Sequence, residues 1–375
     1  MNAARLLRMV LLAAALGSTA DALAAQERVR DLELNVGVSA EAYRGNLAAA
    51  TVPEADSADR VAAAIGEVGA RGTLALLEAE RRWAYLTFDG GLRQFAANGF
   101  EVRDYAPREW VGQSSLAFTQ LLGSWAAGTV RAGWRGRSVE DRPPMPLFLQ
   151  PGFGIATTSV RLDLNEIDQV RLDVTADAEW ADYTARPLAT TSLDLLDRRS
   201  RGVEVGAAWG ERTSVRLFGA LRQGDYPNQK TNEPSDSTRT DRTVQAGFTW
   251  TMEMPITAQL GVEGTLNRSN SRRPEYDALS VRGVVSVPLP FDVGATVLGV
   301  WTAKSYLRET EFKLLVPGEE ADNASVVYLD LSRALAERLD ASLRLGWTRA
   351  EADMGDAYFQ RFGTSLLLRY RPGSF

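Results

Sequence analysis

The feature that most constrains the fold of this chain is an alternation of apolar and polar side chains, and it is clearest near the C-terminus. On one parity lie Phe362, Thr364, Leu366, Leu368 and Tyr370, and on the other lie Arg361, Gly363, Ser365, Arg369 and Arg371, with Leu367 as the exception. Successive side chains of an extended chain point to opposite faces. The segment therefore predicts a β-strand with one apolar face and one cationic face.

The same alternation recurs along the chain and predicts sixteen strands. They are expected near residues 31–45, 61–79, 82–97, 106–122, 125–137, 153–164, 169–184, 199–210, 213–223, 240–254, 256–268, 276–288, 291–305, 323–333, 338–350 and 357–371. The connectors between them alternate between short turns and longer polar stretches. This is typical of a membrane β-barrel, which has short periplasmic turns and longer external loops.

These patterns predict an all-β fold, a transmembrane antiparallel up-and-down β-barrel of about 16 strands. Counts of 14 or 18 stay open, because the apolar run within residues 306–322 could extend a strand or fold inward. The alternative is a secreted all-β protein. Its packed interior would have to hold charges such as Asp173, Asp177 and Glu179 unpaired, whereas a wet lumen accommodates them.

The N-terminus carries the features of a secretory signal peptide, predicted over residues 1–24. Arg5 and Arg8 precede an apolar core, and Ala22 to Ala24 fit the small-x-small cleavage pattern. Residues 25–375 are then expected to form a single transmembrane β-barrel domain. After residue 24 no run of 18 apolar residues would allow a helical span.

Aromatic residues give an independent indication of a membrane barrel. Four tryptophans on the apolar parity lie about ten to twelve residues from their short turns, which corresponds to the height of a lipid-facing band of about 25 Å. They are Trp134, Trp180, Trp301 and Trp347, and a second group near the other end comprises Trp209, Trp250 and Tyr370. We expect two aromatic girdles; the alternative is that these residues are core tryptophans of an ordinary β-protein.

The polar parity predicts the lining of the lumen. The residues expected there are Arg131, Arg135, Arg161, Arg171, Asp173, Asp177, Glu179, Arg216, Glu253, Glu263, Arg282, Arg344 and Arg369. Opposed charges across a pore can set an ion preference, but any water-filled barrel needs polar groups, and neighbouring charges could simply pair. Residues 138–152 contain three prolines and an apolar Met145–Leu149 run, so they could form a constriction loop, an extracellular cap or a partner-binding loop.

Composition argues against an enzyme and against nucleic-acid binding. The chain has no His and no Cys, so a Ser–His or His–Asp catalytic pair cannot be built, nor can thiolate chemistry. The acidic clusters at 319–323 and 351–356 lack the spacing of a calcium loop, and we expect no cofactor and no metal. The formal net charge of −6 is mild, with both signs interspersed, so nucleic acid is not an expected partner.

With its signal, alternating strands, loop asymmetry and terminal Phe375 preceded by Tyr370, the chain resembles Gram-negative outer-membrane β-barrel proteins, specifically uncharacterised porins. The resemblance covers residues 31–375. It implies a location in the bacterial outer membrane and contact with lipid and lipopolysaccharide. It also implies a channel for small hydrophilic solutes, and insertion by the barrel-assembly machinery that recognises the last strand. A homotrimer is left open. The alternative function is a closed-lumen barrel whose loops bind a partner.

Phe375 is the expected assembly signal, but it does not share the parity of Tyr370, because Pro372 and Gly373 intervene. Either a β-bulge brings Phe375 back to the face of the strand that carries Tyr370, or Phe375 lies beyond the strand and Tyr370 is the girdle residue.

Overall fold

The structure is a computed structural model. It describes residues 29–45, 61–98, 108–140, 152–167, 170–184, 187–188, 191–192, 196–231, 237–253, 256–271, 275–307, 323–352 and 357–372. The predicted signal peptide, Phe375 and most of the 138–152 connector lie outside these residues, so the predictions about them stay predictions. Among the described residues, no helix is long and apolar enough to cross a membrane.

The described residues form eighteen strands. Their bounds are β1 Val29–Gly45, β2 Val61–Ala79, β3 Arg82–Asn98, β4 Arg108–Leu121, β5 Ala126–Glu140, β6 Phe153–Ile167, β7 Val170–Tyr183, β8 Pro187–Leu188, β9 Thr191–Ser192, β10 Arg198–Trp209, β11 Thr213–Lys230, β12 Thr238–Met252, β13 Thr257–Ser269, β14 Tyr276–Leu289, β15 Val293–Tyr306, β16 Asn323–Ala336, β17 Leu339–Ala352 and β18 Ala357–Tyr370. The short strands β8 and β9 pair only with each other.

The other sixteen strands form one closed antiparallel barrel, in which each strand pairs with its neighbours in the chain and β1 pairs with β18. The predicted fold class and the count of sixteen are therefore confirmed. The last strand is the closing strand, as expected, with Tyr370 opposite Leu34 and Leu366 opposite Val38. No further strand is described between Tyr306 and Asn323, where counts of 14 or 18 had been left open.

One strand is longer than the sequence predicts. We expected it to end at residue 223, but β11 continues to Lys230. A polar connector is expected from the sequence near 224–239, but Tyr226 still pairs with Arg239 before the register shifts around Pro227. The guanidinium of Arg239 lies 4.0 Å from the centre of the Tyr226 ring, and its Nη1 donates a hydrogen bond of 2.9 Å to Gln229. These tertiary contacts hold the extension in place.

The two ends of the barrel differ. The turns at 80–81, 122–125, 210–212, 290–292 and 337–338 lie at the end where β1 begins and β18 finishes, which we call the short-turn end. In the β10–β11 turn, Gly210 has a φ of 90°, a conformation that favours glycine. We call the opposite end the long-connector end.

Most large apolar side chains lie on the outside of the barrel. Val36, Val38 and Val68 are 52, 63 and 52% exposed, and similar side chains are exposed on the other barrel strands. A water-soluble protein would bury such continuous apolar surface. The fold therefore has the organisation of a transmembrane β-barrel.

Candidate functional site

The strand register places most of the charged residues of the barrel strands on one face of the wall. Opposite residues in antiparallel strands share a face, so the pairing can be followed from strand to strand. One such row runs from Arg171 on β7 through Arg216 on β11 and Arg282 on β14 to Arg361 on β18. The exposed apolar residues occupy the other face.

Ion pairs that skip a strand identify the charged face as the inner one. Side chains of next-nearest strands converge on the concave side of a barrel and diverge on the convex side. Arg216 on β11 reaches Asp173 on β7 at 2.7 Å, past β10. Arg93 on β3 likewise reaches Glu41 on β1 at 3.2 Å, past β2.

Twelve of the thirteen residues predicted to line the lumen lie in barrel strands on this inner face. They are Arg131, Arg135, Arg161, Arg171, Asp173, Asp177, Glu179, Arg216, Glu263, Arg282, Arg344 and Arg369. Glu253 lies one residue beyond the end of β12, in the connector at the short-turn end, where its backbone N–H donates to the carbonyl of Arg212. Whether water fills the lumen remains a prediction.

Glycines in β10 allow two ion pairs to cross that strand. Asp173 and Arg216 meet over Gly206, and Arg216 also binds Glu204 at 2.8 Å. A Cβ on Gly206 would lie 2.6 Å from Asp173 Oδ1 and closer still to Arg216 Nη2.

The second crossing pair lies four residues away along β10, at Gly202. Asp177 and Arg222 are 3.6 Å apart, and a Cβ on the intervening Gly202 would lie 2.6 Å from the Arg222 side chain. The spacing of the two glycines therefore matches the spacing of the two aspartates on β7.

A second group of charges lies beside the closure between β18 and β1. The Glu33 side chain is only 6% exposed, and its carboxylate accepts a hydrogen bond of 2.8 Å from Arg71 Nη2. Guanidinium nitrogens of Arg371 and Arg369 lie 3.8 Å and 3.9 Å from the same carboxylate. The carboxylate therefore lies among three guanidinium groups. Glu33 is not among the predicted site residues, although it lies on the polar parity of the first strand.

Further along the same wall, Arg93 joins four strands. It pairs with Glu41 on β1, Glu67 on β2 and Glu109 on β4 at 3.2 to 3.4 Å. Glu109 also pairs with Arg137 on β5. These ion pairs connect strands β1 to β5 near the long-connector end.

Several inner arginines have no carboxylate within ion-pair distance among the described residues: Arg131, Arg135, Arg171 and Arg282. The Arg135 guanidinium lies 5.6 Å from the centre of the Phe153 ring, and Arg171 donates to the carbonyl of Gly210 at 3.3 Å. In contrast, most described inner carboxylates are paired with arginine, as Glu179 is with Arg198 at 3.0 Å. The uncompensated charge of this wall is therefore mainly positive.

Two of these arginines occupy opposite walls at similar height. Arg131 lies near the middle of β5 and Arg282 near the middle of β14. Six barrel strands separate β5 from β14 in one direction and eight in the other. Sixteen strands spaced about 4.8 Å apart and tilted near 40° enclose a barrel roughly 30 Å across between backbones.

The inner face also encloses substantial space. A cavity of about 740 Å³ is lined in part by Glu33, Arg71, Asp89, Gln113 and Arg135. Another, of about 910 Å³, lies near the short-turn end beside Arg161, Arg171 and Arg216.

At the long-connector end, Leu196, two residues before β10, packs on the inner face. Leu196 is 7% exposed and packs with Ile155, Ala181 and Tyr183, which all lie on the inner face. Asp197 Oδ1 accepts the backbone N–H of Tyr183 at 2.7 Å. The sequence allows such a role for the 138–152 connector and does not predict it for Leu196. The signal for Leu196 is the apolar trio Leu193, Leu195 and Leu196 in an otherwise polar connector.

All seven predicted girdle residues occupy the outer face: Trp134, Trp180, Trp209, Trp250, Trp301, Trp347 and Tyr370. Trp134 and Trp180 share one cross-strand row, separated by Ala156. The Trp134 ring lies over Gly136, where a Cβ would come within 2.7 Å of ring atom Cη2. Trp110 is also 48% exposed on the outer face and was not included in the prediction.

No protein-family model matches the chain, and no curated protein matches it. Among solved structures, the outer membrane channel DcaP of Acinetobacter baumannii is similar with a TM-score of 0.45 and 10% identity, covering 91% of this chain and 96% of that one. The OccK2 (OpdF) structure of Pseudomonas aeruginosa in complex with glucuronate has a TM-score of 0.40 and 11% identity, with coverages of 91% and 97%. At this level of similarity, neither bears on what this chain does.

Proposed function

We propose that this protein is an outer-membrane channel for the passive diffusion of small hydrophilic solutes. One observation carries the proposal: a closed sixteen-stranded barrel has most of its charged side chains inside and most of its exposed apolar side chains outside. Barrels of eight strands are filled by their own side chains, whereas sixteen strands leave room for an aqueous path. The long-connector end then faces the outside of the cell, and residues 1–24 direct export as a cleaved signal.

The proposed outer-membrane location is supported by the exposed apolar side chains on the outside of the barrel. Leu34, Leu366 and Leu368 are 39–50% exposed beside the closing seam, a position that suits hydrocarbon and not water. Residues 25–375 act as one domain, and the barrel-assembly machinery inserts it through the last strand and Phe375. A homotrimer is compatible with this arrangement.

Conductance in planar bilayers tests the channel. Purified protein whose folding has been verified by its mobility on unheated gels is added to a bilayer, and current steps are recorded. Open steps of porin size are expected. Folded protein that gives no conductance would overturn the channel proposal.

A second candidate function is a barrel with a closed lumen that binds a partner through its connectors. The packing of Leu196 onto inner-face residues favours it, because this side chain occupies space on the inner face at the long-connector end. Ile65 and Phe95 on the inner face of β2 and β3 are only 2% and 1% exposed, and their burial on this face also supports the second candidate. Absence of conductance from wild type, with conductance appearing when Leu196 is replaced by Ser, would favour this function.

A further inference from the structure

Four polar residues form a row across the outer face near the long-connector end. Arg201 on β10 is opposite Gln223 on β11, which is opposite Arg242 on β12, which is opposite Arg268 on β13. All three arginines are exposed on the face that carries the apolar residues. We call these four residues the arginine row.

We propose that the arginine row binds the phosphate groups of lipopolysaccharide, the phosphorylated glycolipid of the outer leaflet. The proposal rests on the outer-membrane placement made above but not on the channel activity.

The row is electrostatically unfavourable without an anion. Arg242 and Arg268 are directly opposite in the register, and like charges at such positions, about 5 Å apart at Cβ, destabilise a sheet. No described carboxylate lies within ion-pair distance of Arg201 or Arg242. The Nη2 of Arg201 instead donates to Gln223 Oε1 at 3.2 Å.

Acidic neighbours do not cancel this charge. Asp277 pairs with Arg268 at 2.8 Å, and it is the only described carboxylate in an ion pair with the row. Asp225 lies one row nearer the long-connector end. Its Oδ1 accepts hydrogen bonds from Gln223 Nε2 at 3.3 Å and from Thr240 Oγ1 at 3.1 Å. The positive charge of Arg201 and Arg242 therefore remains available to a ligand.

The surface next to the row suits the acyl chains of a lipid. Two residues nearer the short-turn end, a second cross-strand row consists of Val203, Leu221, Val244 and Leu266. These side chains are 45–64% exposed. The step between the two rows is about 6.6 Å along the strands, so a basic band directly borders an apolar one.

An aromatic residue places this border at the membrane–water interface. Trp180 is opposite Arg199, which lies on β10 two residues from Arg201. Tryptophan concentrates at the level of the lipid headgroups. The arginine row therefore lies where the phosphates of an outer-leaflet lipid are found, and guanidinium groups bind phosphate oxygens in bidentate geometry.

The test compares lipopolysaccharide binding by wild type and by the double variant Arg201→Gln/Arg242→Gln. Neither residue has a described carboxylate partner, so the variant leaves no acidic group unpaired. The matched control is Arg333→Gln, which removes an exposed outer-face arginine at the short-turn end. Binding is measured with detergent-solubilised, folded full-length protein and purified lipopolysaccharide.

We expect the double variant to bind roughly thirtyfold more weakly than wild type and the control to bind like wild type. Wild type should also bind lipid A more tightly than the same lipid without its phosphates. Equal binding by wild type and the double variant would overturn the proposal, as would equal binding of the two lipids. If phosphatidylglycerol competes as well as lipopolysaccharide, the assignment to the glycolipid is wrong. Conductance of the double variant, recorded separately, tests the channel independently.

Discussion

Asp173 and Arg216 form an ion pair across an intervening strand: Arg216 Nη2 lies 2.7 Å from Asp173 Oδ2, and Gly206 of β10 lies between them. The Asp173 side chain is only 6% exposed, so its charge depends on this partner and on Arg161 at 3.6 Å. The pair joins β7 to β11 across β10, whose Glu204 also binds Arg216 at 2.8 Å. It depends on the missing side chain of one glycine.

Replacing Gly206 by Ala should separate this pair. The new Cβ would displace both side-chain ends, and the loss should cost about 1–2 kcal/mol of unfolding free energy, because a nearly buried carboxylate loses its best partner. Urea unfolding in lipid vesicles measures the change. Gly299→Ala is the control, because a Cβ there meets nothing within 4 Å. If both variants unfold at the same urea concentration, the pair does not contribute to stability.

Reversing the charge at Arg131 and Arg135 should shift the ion preference of the channel toward cations. These arginines lack described carboxylate partners, so their charge acts on the lumen and is not cancelled at the wall. The reversal potential under a salt gradient measures the effect. Arg131→Gln should shift it less than Arg131→Glu, and the shift should shrink at high salt as charges are screened. Reversal potentials that do not change would remove the role in ion preference.

The same reasoning applies to Arg282 on the opposite wall. Arg282→Glu should shift the reversal potential in the same direction as Arg131→Glu, because both residues lie near mid-height in the barrel. If Arg282→Glu has no effect while Arg131→Glu does, ions pass along one wall only.

Replacing Leu196 by Ser should open the mouth of the barrel. The substitution weakens the packing with Ile155, Ala181 and Tyr183, and a fully buried leucine contributes about 1.5–3 kcal/mol by burial. Single-channel conductance should rise. Leu335→Ser is the control, because Leu335 is 56% exposed near a short turn. Conductance that rises equally in both variants would argue against a specific role for this segment.

Replacing Glu33 by Gln should weaken the closing seam. The change removes the only carboxylate that forms an ion pair with Arg71 among the described residues, and it leaves Arg71, Arg369 and Arg371 as neighbouring like charges. We expect a loss of about 1–3 kcal/mol, measured as a lower urea midpoint. Glu78→Gln should cost less than about 0.5 kcal/mol, since its pair with Arg30 is exposed on both sides. Equal losses would show that burial of Glu33 does not matter.

The strands were predictable because alternation is a local property of the chain. For β2 the predicted range of 61–79 agrees with Val61–Ala79. The end of β11 was not predictable, because the cation–π contact of Arg239 with Tyr226 comes from the next strand. The inner-face packing of Leu196 was missed for a related reason: its partners Ile155 and Tyr183 come from two other strands.

The sequence by itself determined that the chain forms strands and which face each side chain occupies, since a period of two depends only on the extended backbone. Only the tertiary structure decided which residues become neighbours, because the register between strands and the closure of β1 on β18 set the height of every side chain. Arg201, Arg242 and Arg268 are far apart in the chain, and Gly206 was an ordinary strand glycine. Hydrogen bonding between strands brought the three arginines into one row and placed that glycine beneath an ion pair.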